Sequence, residues 1–314
     1  MLSIVIPVFN EEENIRLLYT ELKEVLISNS FDYEIIFIDD GSTDNTFSEL
    51  KSIIEEGEKN FRVIQLRKHF GKSAALTAGF HNTKGKIIVT LDGDGQDNPH
   101  DIPLLVEALT DDIEIVCGWR YKRHDSFLFK KFPSKIYNFL NRLFNRMNIH
   151  DSGCTLRAYR REAIAEILLL DGDHRYLPAI LYNKGFRLAE VKVNHRSRFG
   201  GKSKYGWKRL FVGLSDLFTL RFLFRYGKRP IRLFFKIGFL FLITTLALGI
   251  YLLVQKYACN QVIGFHPLLL LIILLGVSGF HFLLMGLLSE LIVRNNISPS
   301  SVYNIKEIHE HKEK

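Results

Sequence analysis

The sequence predicts an α/β domain built on a mostly parallel, Rossmann-like sheet, followed by a hairpin of two transmembrane helices. Two observations predict this fold class. Over residues 1–117, apolar runs alternate with polar stretches that suit helices, and near-continuous apolar strands between helices are typical of a parallel sheet covered on both faces. Farther along the chain, two uncharged stretches flank a short polar loop, as in a membrane hairpin.

Apolar runs of the N-terminal part are predicted to be strands, in the order LSIVIPVF, YEIIFIDD, FRVIQLR, KIIVTLDGDG and IEIVCGWR. A polar helix is expected from about Glu11 to Ser28, GSTDNT supplies capping residues for the next helix, and KSAALTAGFHNT suits a third. Acidic clusters follow the second and fourth strands. Because open parallel sheets bind ligands beyond the carboxyl ends of their strands, we expect a site there.

The two uncharged stretches are predicted to span a membrane at about 237–254 and 267–288. The first contains no charged residue, and the second contains His281 as its one ionisable residue. At about 1.5 Å of rise per residue, each is long enough to cross most of a hydrocarbon core of roughly 30 Å. A pair of buried core helices is the alternative.

The orientation of the hairpin follows from its flanks. Six lysines and arginines precede the first span between residues 221 and 236, whereas the connecting loop 255–266 contains Lys256 alone. The positive-inside rule then predicts a multi-pass protein of the inner (cytoplasmic) membrane, with the α/β domain and both termini in the cytoplasm. The opening MLSIVIPVF lacks a basic region and contains Pro7, so it is interpreted as a strand and not as a cleavable signal.

The charge of the chain indicates an anionic partner. The 314 residues carry 42 Lys and Arg against 34 Asp and Glu, and residues 118–236 hold 27 of the basic and 8 of the acidic side chains. Because this basic region adjoins the spans, a phosphate or a lipid surface is favoured over nucleic acid. The three scattered cysteines exclude a disulfide scaffold, and without CxxC pairs a structural zinc site is not expected.

Two segments of the basic region are predicted to be amphipathic helices, one at 126–149 and one from about Tyr205 to Tyr226 that leads into the first span. In the first segment, apolar residues recur every three or four positions with Lys and Arg between them. Such a helix either packs on the α/β domain or lies in the membrane interface.

The sequence Asp92-Gly93-Asp94 at the end of the fourth strand is the strongest indication of chemistry. Two carboxylates one residue apart on a turn can share a hard divalent cation, whose other ligands would be diphosphate oxygens. Such a cation neutralises charge on a departing nucleoside diphosphate. Gln96 and Asp97 are placed to complete the metal site; a solvated turn is the alternative.

A second acidic sequence, Asp39-Asp40-Gly41-Ser42, ends the second strand. Its carboxylates can accept hydrogen bonds from a nucleobase or from ribose hydroxyls, and Glu11 after the first strand is comparable. Helix capping is the alternative. Neither a GxGxxG sequence nor a P-loop accompanies these strands, which argues against a nicotinamide enzyme and against a P-loop NTPase.

Several stretches resemble a known family: IVIPVFNEEENI, IIFIDDGSTDNT, LRKHFGKSAALTAGF, and LDGDGQDNP with the later GWR. They are similar to family 2 glycosyltransferases of the GT-A fold, which transfer sugar from nucleotide-diphospho-sugars. The similarity is greatest to the polyisoprenyl-phosphate glycosyltransferases, such as dolichol-phosphate mannose synthases and bacterial undecaprenyl-phosphate sugar transferases. It covers roughly residues 1–210, and the hairpin matches the bacterial members.

The resemblance implies a division of the chain into four regions. These are a cytoplasmic GT-A catalytic domain at 1–204, juxtamembrane amphipathic helices at 205–230, two transmembrane helices within 231–292, and a cytoplasmic tail at 293–314.

The resemblance also implies roles for individual residues. Those expected to contact the nucleotide sugar are Pro7, Asn10, Glu11, Asp39, Asp40, Lys72, Asp92 and Gly93, with Lys72 near the diphosphate. Those expected to hold Mg²⁺ or Mn²⁺ are Asp92, Asp94 and Gln96, of which the two carboxylates are also counted as catalytic. Those expected to hold the acceptor phosphate are Arg120, Arg198, Lys202 and Lys204. For each of these basic residues, a general lipid-attracting surface is the alternative.

The chain departs from the family at the catalytic base. Many relatives carry an aspartate, often proposed as the base, in a stretch like SGDFRLM, where this chain has Thr155. Asp151 is the candidate substitute. Because a phosphomonoester is already anionic near neutral pH, it needs little deprotonation, and the missing aspartate favours a phosphate over a sugar hydroxyl as acceptor. His174 and Arg175 are candidates for shaping the donor or acceptor site.

The predicted function is an inverting, metal-dependent transfer of a sugar from a UDP- or GDP-linked donor to a polyisoprenyl phosphate such as undecaprenyl or dolichyl phosphate. The alternatives are another lipid acceptor such as diacylglycerol, a growing glycan, and a non-catalytic nucleotide-sugar-binding membrane scaffold. The lack of a QxxRW-like stretch weakens the glycan alternative, and the intact Asp92 and Asp94 weaken the scaffold. Two spans make a small membrane domain, which is compatible with a homo-oligomer.

Overall fold

The computed structural model describes residues 1–121, 149–151, 153–196, 219, 221–223, 225–227, 229–258 and 267–295. The chain divides into two compact units, Met1–Leu217 and Phe218–Lys314. The amphipathic segments predicted at 126–149 and 205–226 lie almost entirely outside the described residues. The four-region division of the chain stays a prediction.

The strands of the first unit are β1 (Leu2–Val8), β2 (Tyr33–Asp39), β3 (Phe61–Gln65), β4 (Ile87–Thr90), β5 (Ile115–Arg120), β6 (Arg157–Arg160) and β7 (Leu188–Val193). Its helices are α1 (Glu12–Ser28), α2 (Thr46–Glu55), α3 (Lys72–His81), α4 (Ile102–Glu107), α5 (Arg161–Ile164) and α6 (Leu177–Asn183). Short 3₁₀ helices lie at Pro99–Asp101 and Asp173–Arg175. The second unit contains α7 (Ile231–Tyr257) and α8 (Pro267–Asn295).

The strands form one seven-stranded sheet in the order β3-β2-β1-β4-β6-β5-β7. All neighbouring strands are parallel except that β6 runs antiparallel to both β4 and β5. The predicted strands are present, and the mostly parallel α/β class is confirmed. The sequence does not predict β6 and β7, because RAYR and LAEVKV interrupt their apolar residues with charges. Strand β6 is short, and β7 is a half-buried edge strand.

Both faces of the sheet are covered, which explains why the inner strands are apolar throughout. Along β1, Ile4 packs on one face with Leu22 of α1, and Val5 packs on the other face with Leu76 of α3. Each fully buried aliphatic side chain contributes about 1.5–3 kcal/mol to folding. This packing fixes β1, β2 and β4 relative to one another, and with them the edge at which their carboxyl ends lie.

The helices α7 and α8 are long and apolar enough to cross a membrane, with mean hydropathies of 2.5 and 2.6. They extend past the predicted spans, since α7 begins at Ile231 and α8 ends at Asn295. Their backbones meet at two glycines: a Cβ on Gly238 would lie 2.8 Å from the carbonyl oxygen of Gly279. Only 11% and 6% of their most apolar windows are buried. Such exposure argues against two buried core helices.

Candidate active site

The carboxyl ends of β1, β2 and β4 meet at one edge of the sheet, since these strands are parallel neighbours. Asn10 and Glu11 follow β1, Asp39 ends β2, and Asp92 follows β4, while Pro7 lies within β1 itself. The structure therefore brings together the residues predicted to bind a nucleotide sugar. This edge is the candidate active site.

Gly93 allows the turn after β4 to approach β1 closely. A Cβ at this position would lie 2.5 Å from Cγ1 of Val8, which is closer than side chains pack. Because glycine has no Cβ, Asp92 and Asp94 on either side of it are held against the end of β1. This packing role is separate from the predicted contact of Gly93 with the nucleotide, which stays a prediction.

Asn10 joins the turn after β1 to the turn after β2. Its φ of 54° lies in the left-handed region, which asparagine tolerates. Its side-chain oxygen accepts a hydrogen bond from the Thr43 N–H at 2.8 Å, and its own N–H donates to Ser42 Oγ at 3.0 Å. The N–H of Glu11 donates to Thr46 Oγ1 at 2.8 Å. These bonds fix both turns at the edge of the candidate site.

Asp40 holds the loop that leads into α3. Its carboxylate accepts hydrogen bonds from the N–H of Phe70 at 2.8 Å and of Gly71 at 2.9 Å, and His69 Nδ1 lies 2.9 Å from it. With 3% of its surface exposed, Asp40 is placed to position the start of α3. Its predicted contact with the nucleotide stays a prediction.

Asp39 has different surroundings from its neighbour. It is fully buried, and its Oδ1 accepts a hydrogen bond from the Ser42 N–H at 3.0 Å. Its Oδ2 has no hydrogen-bond partner among the residues that the structure describes. Because a buried carboxylate oxygen without a donor is costly, this atom fits an N–H or O–H group donated by a bound molecule, as nucleobases and ribose supply.

Lys72, the first residue of α3, forms an ion pair with Asp92. Burial acts to raise the pKa of Asp92, but the Lys72 ammonium, with smaller contributions from Thr155 and His174, holds this pKa below its ordinary value. The Asp92 side chain keeps 32% of its surface exposed. An ionised, accessible carboxylate therefore lies just after the end of β4, paired with the ammonium of Lys72.

The turn after Asp92 offers oxygen ligands to a cation. The Gln96 N–H donates to Asp94 Oδ1 at 3.1 Å, which orients that carboxylate. Within the described ranges, no group of three or more His, Cys, Asp or Glu side chains is placed to hold a metal ion. Two carboxylates are thus too few to enclose a cation, but they fit a hard divalent ion that takes its remaining ligands from a bound diphosphate.

Asp97 holds the turn after β4 in place through hydrogen bonds. Its Oδ2 accepts hydrogen bonds from the Asp92 N–H at 3.2 Å and from Thr155 Oγ1 at 3.0 Å. Burial and the Asp92 carboxylate raise the pKa of Asp97 to about 6. Thr155, the residue that the family resemblance puts in place of an aspartate, therefore acts here as a hydrogen-bond donor to Asp97. The sequence predicts Asp97 as a further metal ligand, whereas in the structure its Oδ2 accepts a hydrogen bond from the backbone N–H of Asp92.

Arg120 and Asp151 contact each other directly. Arg120 Nε donates to Asp151 Oδ2 at 2.7 Å, and Nη2 donates to Oδ1 at 3.0 Å. Burial acts to lower the pKa of Arg120, and the Asp151 carboxylate raises it above its ordinary value. The predicted phosphate ligand and the predicted base are thus partners in one bidentate ion pair. The other predicted phosphate ligands, Arg198, Lys202 and Lys204, lie outside the described residues.

The segment after β7 holds the loop after β4, a link that local sequence patterns do not reveal. The Arg196 N–H donates to the Gln96 carbonyl at 3.0 Å, and the Arg196 guanidinium forms two hydrogen bonds with Glu21 of α1 at 2.8 and 2.9 Å. The Asn194 N–H donates to Asp101 at 2.7 Å. Because the partners are 93 or more positions apart in the chain, only the fold brings them together.

The sheet order, the acidic turn after β4 and the turns after β1 and β2 define a glycosyltransferase of the GT-A fold. The chain belongs to the family described as Glycosyl transferase family 2, which matches residues 3–168. It is therefore a glycosyltransferase, as the resemblance implies.

Curated relatives align with nearly the whole chain. It is 33% identical to a dodecaprenyl-phosphate galacturonate synthase from Rhizobium johnstonii, over 93% of this chain and 88% of that protein. It is also 33% identical to an undecaprenyl-phosphate 4-deoxy-4-formamido-L-arabinose transferase from Salmonella choleraesuis, over 98% of this chain and 93% of that protein.

Solved structures share the fold at lower sequence identity. Glucosyl-3-phosphoglycerate synthase from Mycobacterium tuberculosis, solved with Mn²⁺, UDP and phosphoglyceric acid, superposes with a TM-score of 0.55 at 21% identity, covering 71% of this chain and 77% of that chain. A mannosyltransferase from Pyrobaculum calidifontis, solved with GDP-Man and Mn²⁺, gives a TM-score of 0.50 at 16% identity, covering 96% and 77%.

Proposed function

We propose that this protein transfers a sugar, with inversion, from a nucleoside-diphosphate sugar to a polyisoprenyl phosphate on the cytoplasmic face of a membrane. The observation that carries the proposal is the extent of the similarity to lipid-phosphate sugar transferases. Relatives with such names align with 93% and 98% of the chain, an extent that takes in the apolar helices as well as the catalytic unit.

The nucleotide binds at the ends of β1 and β2 in this proposal. The unsatisfied, buried Asp39 Oδ2 supports it, since a nucleobase N–H or a ribose hydroxyl supplies the missing donor. Pro7, Asn10 and Glu11 line the same edge, where hydrogen bonds fix the turns. Asp40 acts by positioning the loop before Lys72.

The diphosphate binds at the end of β4. Asp92 and Asp94 would hold Mg²⁺ or Mn²⁺ there, with Gln96 beside them, and the bound cation supplies positive charge that stabilises the departing nucleoside diphosphate. The Lys72 ammonium moves from Asp92 to a diphosphate oxygen, where it adds a second positive charge beside the departing group. The lowered pKa of Asp92 keeps this carboxylate ionised for cation binding throughout the physiological range.

The acceptor phosphate binds near Arg120, with Arg198, Lys202 and Lys204 as further ligands. One of its oxygens attacks the anomeric carbon from the face opposite the diphosphate, and the bond between that carbon and the diphosphate breaks. The second pKa of a phosphomonoester is about 6, so the attacking oxygen is already anionic. The engagement of both Asp151 oxygens by Arg120 supports a mechanism without a protein base.

The helices α7 and α8 cross the membrane in this proposal, and both termini face the cytoplasm. The exposure of their apolar side chains supports contact with lipid. This topology leaves the catalytic unit in the compartment where nucleotide sugars are made, and it is compatible with a homo-oligomer.

A sugar-transfer assay in lipid nanodiscs tests the function. Purified protein is given a panel of UDP- and GDP-sugars that includes UDP-galacturonate, with undecaprenyl phosphate or diacylglycerol as acceptor, and with Mn²⁺ or EDTA. We expect labelled undecaprenyl phosphate from one or a few donors, with Mn²⁺ only.

The same assay separates the alternatives. Labelling of diacylglycerol instead would identify another lipid as the acceptor. Binding of a nucleotide without transfer to either lipid would support the scaffold and contradict the proposed activity.

A further inference from the structure

His174 lies in the 3₁₀ helix before α6 and contacts the first turn of α3. Its ring Nδ1 lies 2.9 Å from the Ser73 hydroxyl oxygen, and its backbone N–H donates to the same oxygen at 3.2 Å. A hydroxyl has one proton to donate and two lone pairs to accept with. Because Ser73 Oγ already accepts the N–H of His174, its own proton is available to Nδ1, and we assign the imidazole proton to Nε2 on that basis.

The imidazole of His174 is neutral at physiological pH. Burial, followed by the charges of Lys72 and Arg175, lowers its pKa to about 3. Asp92 acts on the ring in the opposite direction, and the ring acts on Asp92 in turn. His174 thus lies within electrostatic reach of the Lys72–Asp92 ion pair without adding a charge to it.

The Nε2–H group of His174 remains available to a ligand. Among the described residues, Nε2 has no hydrogen-bond partner, and it is not among the polar atoms that the protein shuts off from solvent. With the proton assigned to Nε2 and Nδ1 occupied by Ser73, the ring presents one donor and no acceptor to a ligand.

The position of His174 along the sheet fits the sugar of the donor. Its carbonyl oxygen accepts a hydrogen bond at 3.2 Å from Arg157, which begins β6 and lies opposite Thr90 at the end of β4. Strand β6 lies between β4, which ends at the Asp92 turn, and β5, which ends at Arg120. In the proposed reaction the sugar must lie between the diphosphate at Asp92 and the acceptor phosphate at Arg120.

We propose that His174 recognises the donor sugar: its Nε2–H donates a hydrogen bond to a sugar oxygen, and Ser73 fixes the tautomer that makes this possible. The inference rests on the proposed function, because the place of the sugar follows from it. His174 is accordingly a specificity-determining residue, and it neither gives up nor takes up a proton in the reaction.

Three substitutions at position 174 test this role. His174→Gln places an amide N–H near the position of Nε2, His174→Asn places one near Nδ1, and His174→Leu has no donor. The probes are the best nucleotide sugar of the panel and its nucleoside diphosphate alone, both with Mn²⁺. We expect Leu and Asn to lower kcat/KM for the nucleotide sugar about tenfold, the size of one hydrogen bond. We expect Gln to retain most of the activity.

The affinity for the nucleoside diphosphate separates recognition from a structural role. Its Kd, measured by calorimetry, is expected to stay within about twofold of wild type in all three variants, since this ligand has no sugar to contact. Ser73→Ala removes the hydroxyl that contacts Nδ1 of His174, so the ring can adopt either tautomer. This variant should lower kcat/KM by a smaller factor than His174→Leu. His81→Leu, an exposed histidine at the far end of α3, is the matched control and should change neither quantity.

Two results would overturn the inference. One is an equal loss of affinity for the nucleotide sugar and for the nucleoside diphosphate. The other is equal activity of the Gln and Asn variants. The second comparison can be made even if the Leu variant does not fold. Failure of the wild type to transfer sugar from any donor would remove the proposed function itself, and this inference with it.

Discussion

Lys72 and Asp92 neutralise each other at the end of β4, and both have a prospective partner in a metal-bound diphosphate. The contrast between Asp39 and Asp40 shows how far single residues differ in this site. Asp40 is satisfied by the backbone of the loop before α3. Asp39, one position earlier, keeps an oxygen that no described residue satisfies. In the proposed function, Asp40 therefore positions the loop and Asp39 binds the nucleotide.

Asp94→Asn tests the metal assignment, because it removes a charge and keeps the size of the side chain. We expect the transfer rate to fall by about 100-fold or more, since the cation loses an anionic ligand next to the developing charge. The fold is expected to persist, because the amide oxygen still accepts the Gln96 N–H. Initial rates over a Mn²⁺ titration, with circular dichroism for the fold, measure both.

The matched control for this change is Asp111→Asn. Asp111 is a fully exposed carboxylate paired with Arg160, so its loss should leave the rate and the Mn²⁺ dependence unchanged. A rate for the Asp94 variant within tenfold of the control would contradict the metal assignment.

Glu34 connects three elements at the opposite end of the sheet. Near the start of β2, it accepts hydrogen bonds from Ser3 Oγ of β1 and the Lys84 N–H, both at 2.6 Å, and from Arg62 of β3 at 3.2 Å. Burial acts to raise its pKa, but the hydrogen bonds from Ser3, Lys84 and Arg62 outweigh it and hold the pKa below the ordinary value. An ionised carboxylate thus fastens the strands that carry the site.

The lowered pKa of Glu34 gives its contribution to stability a definite pH dependence. The contribution is present above the pKa of an unfolded glutamate, about 4.3, and is lost as the pH falls through the lower folded value. We expect Glu34→Gln to lower the free energy of unfolding by about 2 kcal/mol at pH 7, as for hydrogen bonds to a charged group. The deficit should shrink as the pH falls below about 4.

Thermal unfolding of the detergent-solubilised protein, at pH 7 and at a pH below about 4, measures this loss of unfolding free energy. Glu55→Gln is the control, since the Glu55 side chain is 66% exposed on α2. A deficit for Glu34→Gln that is the same at both pH values would show that lost packing, and not the charge, destabilises the variant.

The topology of the whole molecule is open to cysteine labelling. The two described thiols are expected to react slowly with a maleimide, because burial raises the pKa of Cys117 to about 12 and also raises the pKa of Cys154. With Cys259 replaced by Ser, a cysteine introduced by Lys256→Cys should react with a membrane-impermeant maleimide on intact cells. The end of α7, where Lys256 lies, would then face away from the cytoplasm.

A cysteine introduced by Lys314→Cys is the control for this labelling. Since the tail is predicted to be cytoplasmic, it should react only after the membrane is made permeable. The opposite pattern at the two positions would reverse the proposed orientation, and labelling of both on intact cells would contradict a membrane hairpin.

Local patterns in the sequence were sufficient for the parallel sheet and for much of the site. Asp39 ends one buried strand and Asp92 follows another. Because parallel strands bring their carboxyl ends to one edge, the proximity of these two residues could be predicted without a structure. The strands β6 and β7 could not, because their charged residues hide the apolar pattern. Strand β6 lies between β4 and β5, so its first residue, Arg157, is next to the end of β4 that leads to Asp92.

The sequence by itself determined the class of the fold, the two apolar helices, and the carboxylates at the strand ends, because each depends on residues close together in the chain. Only the tertiary structure decided the partners of these groups. Thr155 donates to Asp97 across 58 positions, and Ser73 contacts His174 across 101. Such pairs carry no local pattern, since their contact energies are gained only after the core has folded and closed the long loops between them.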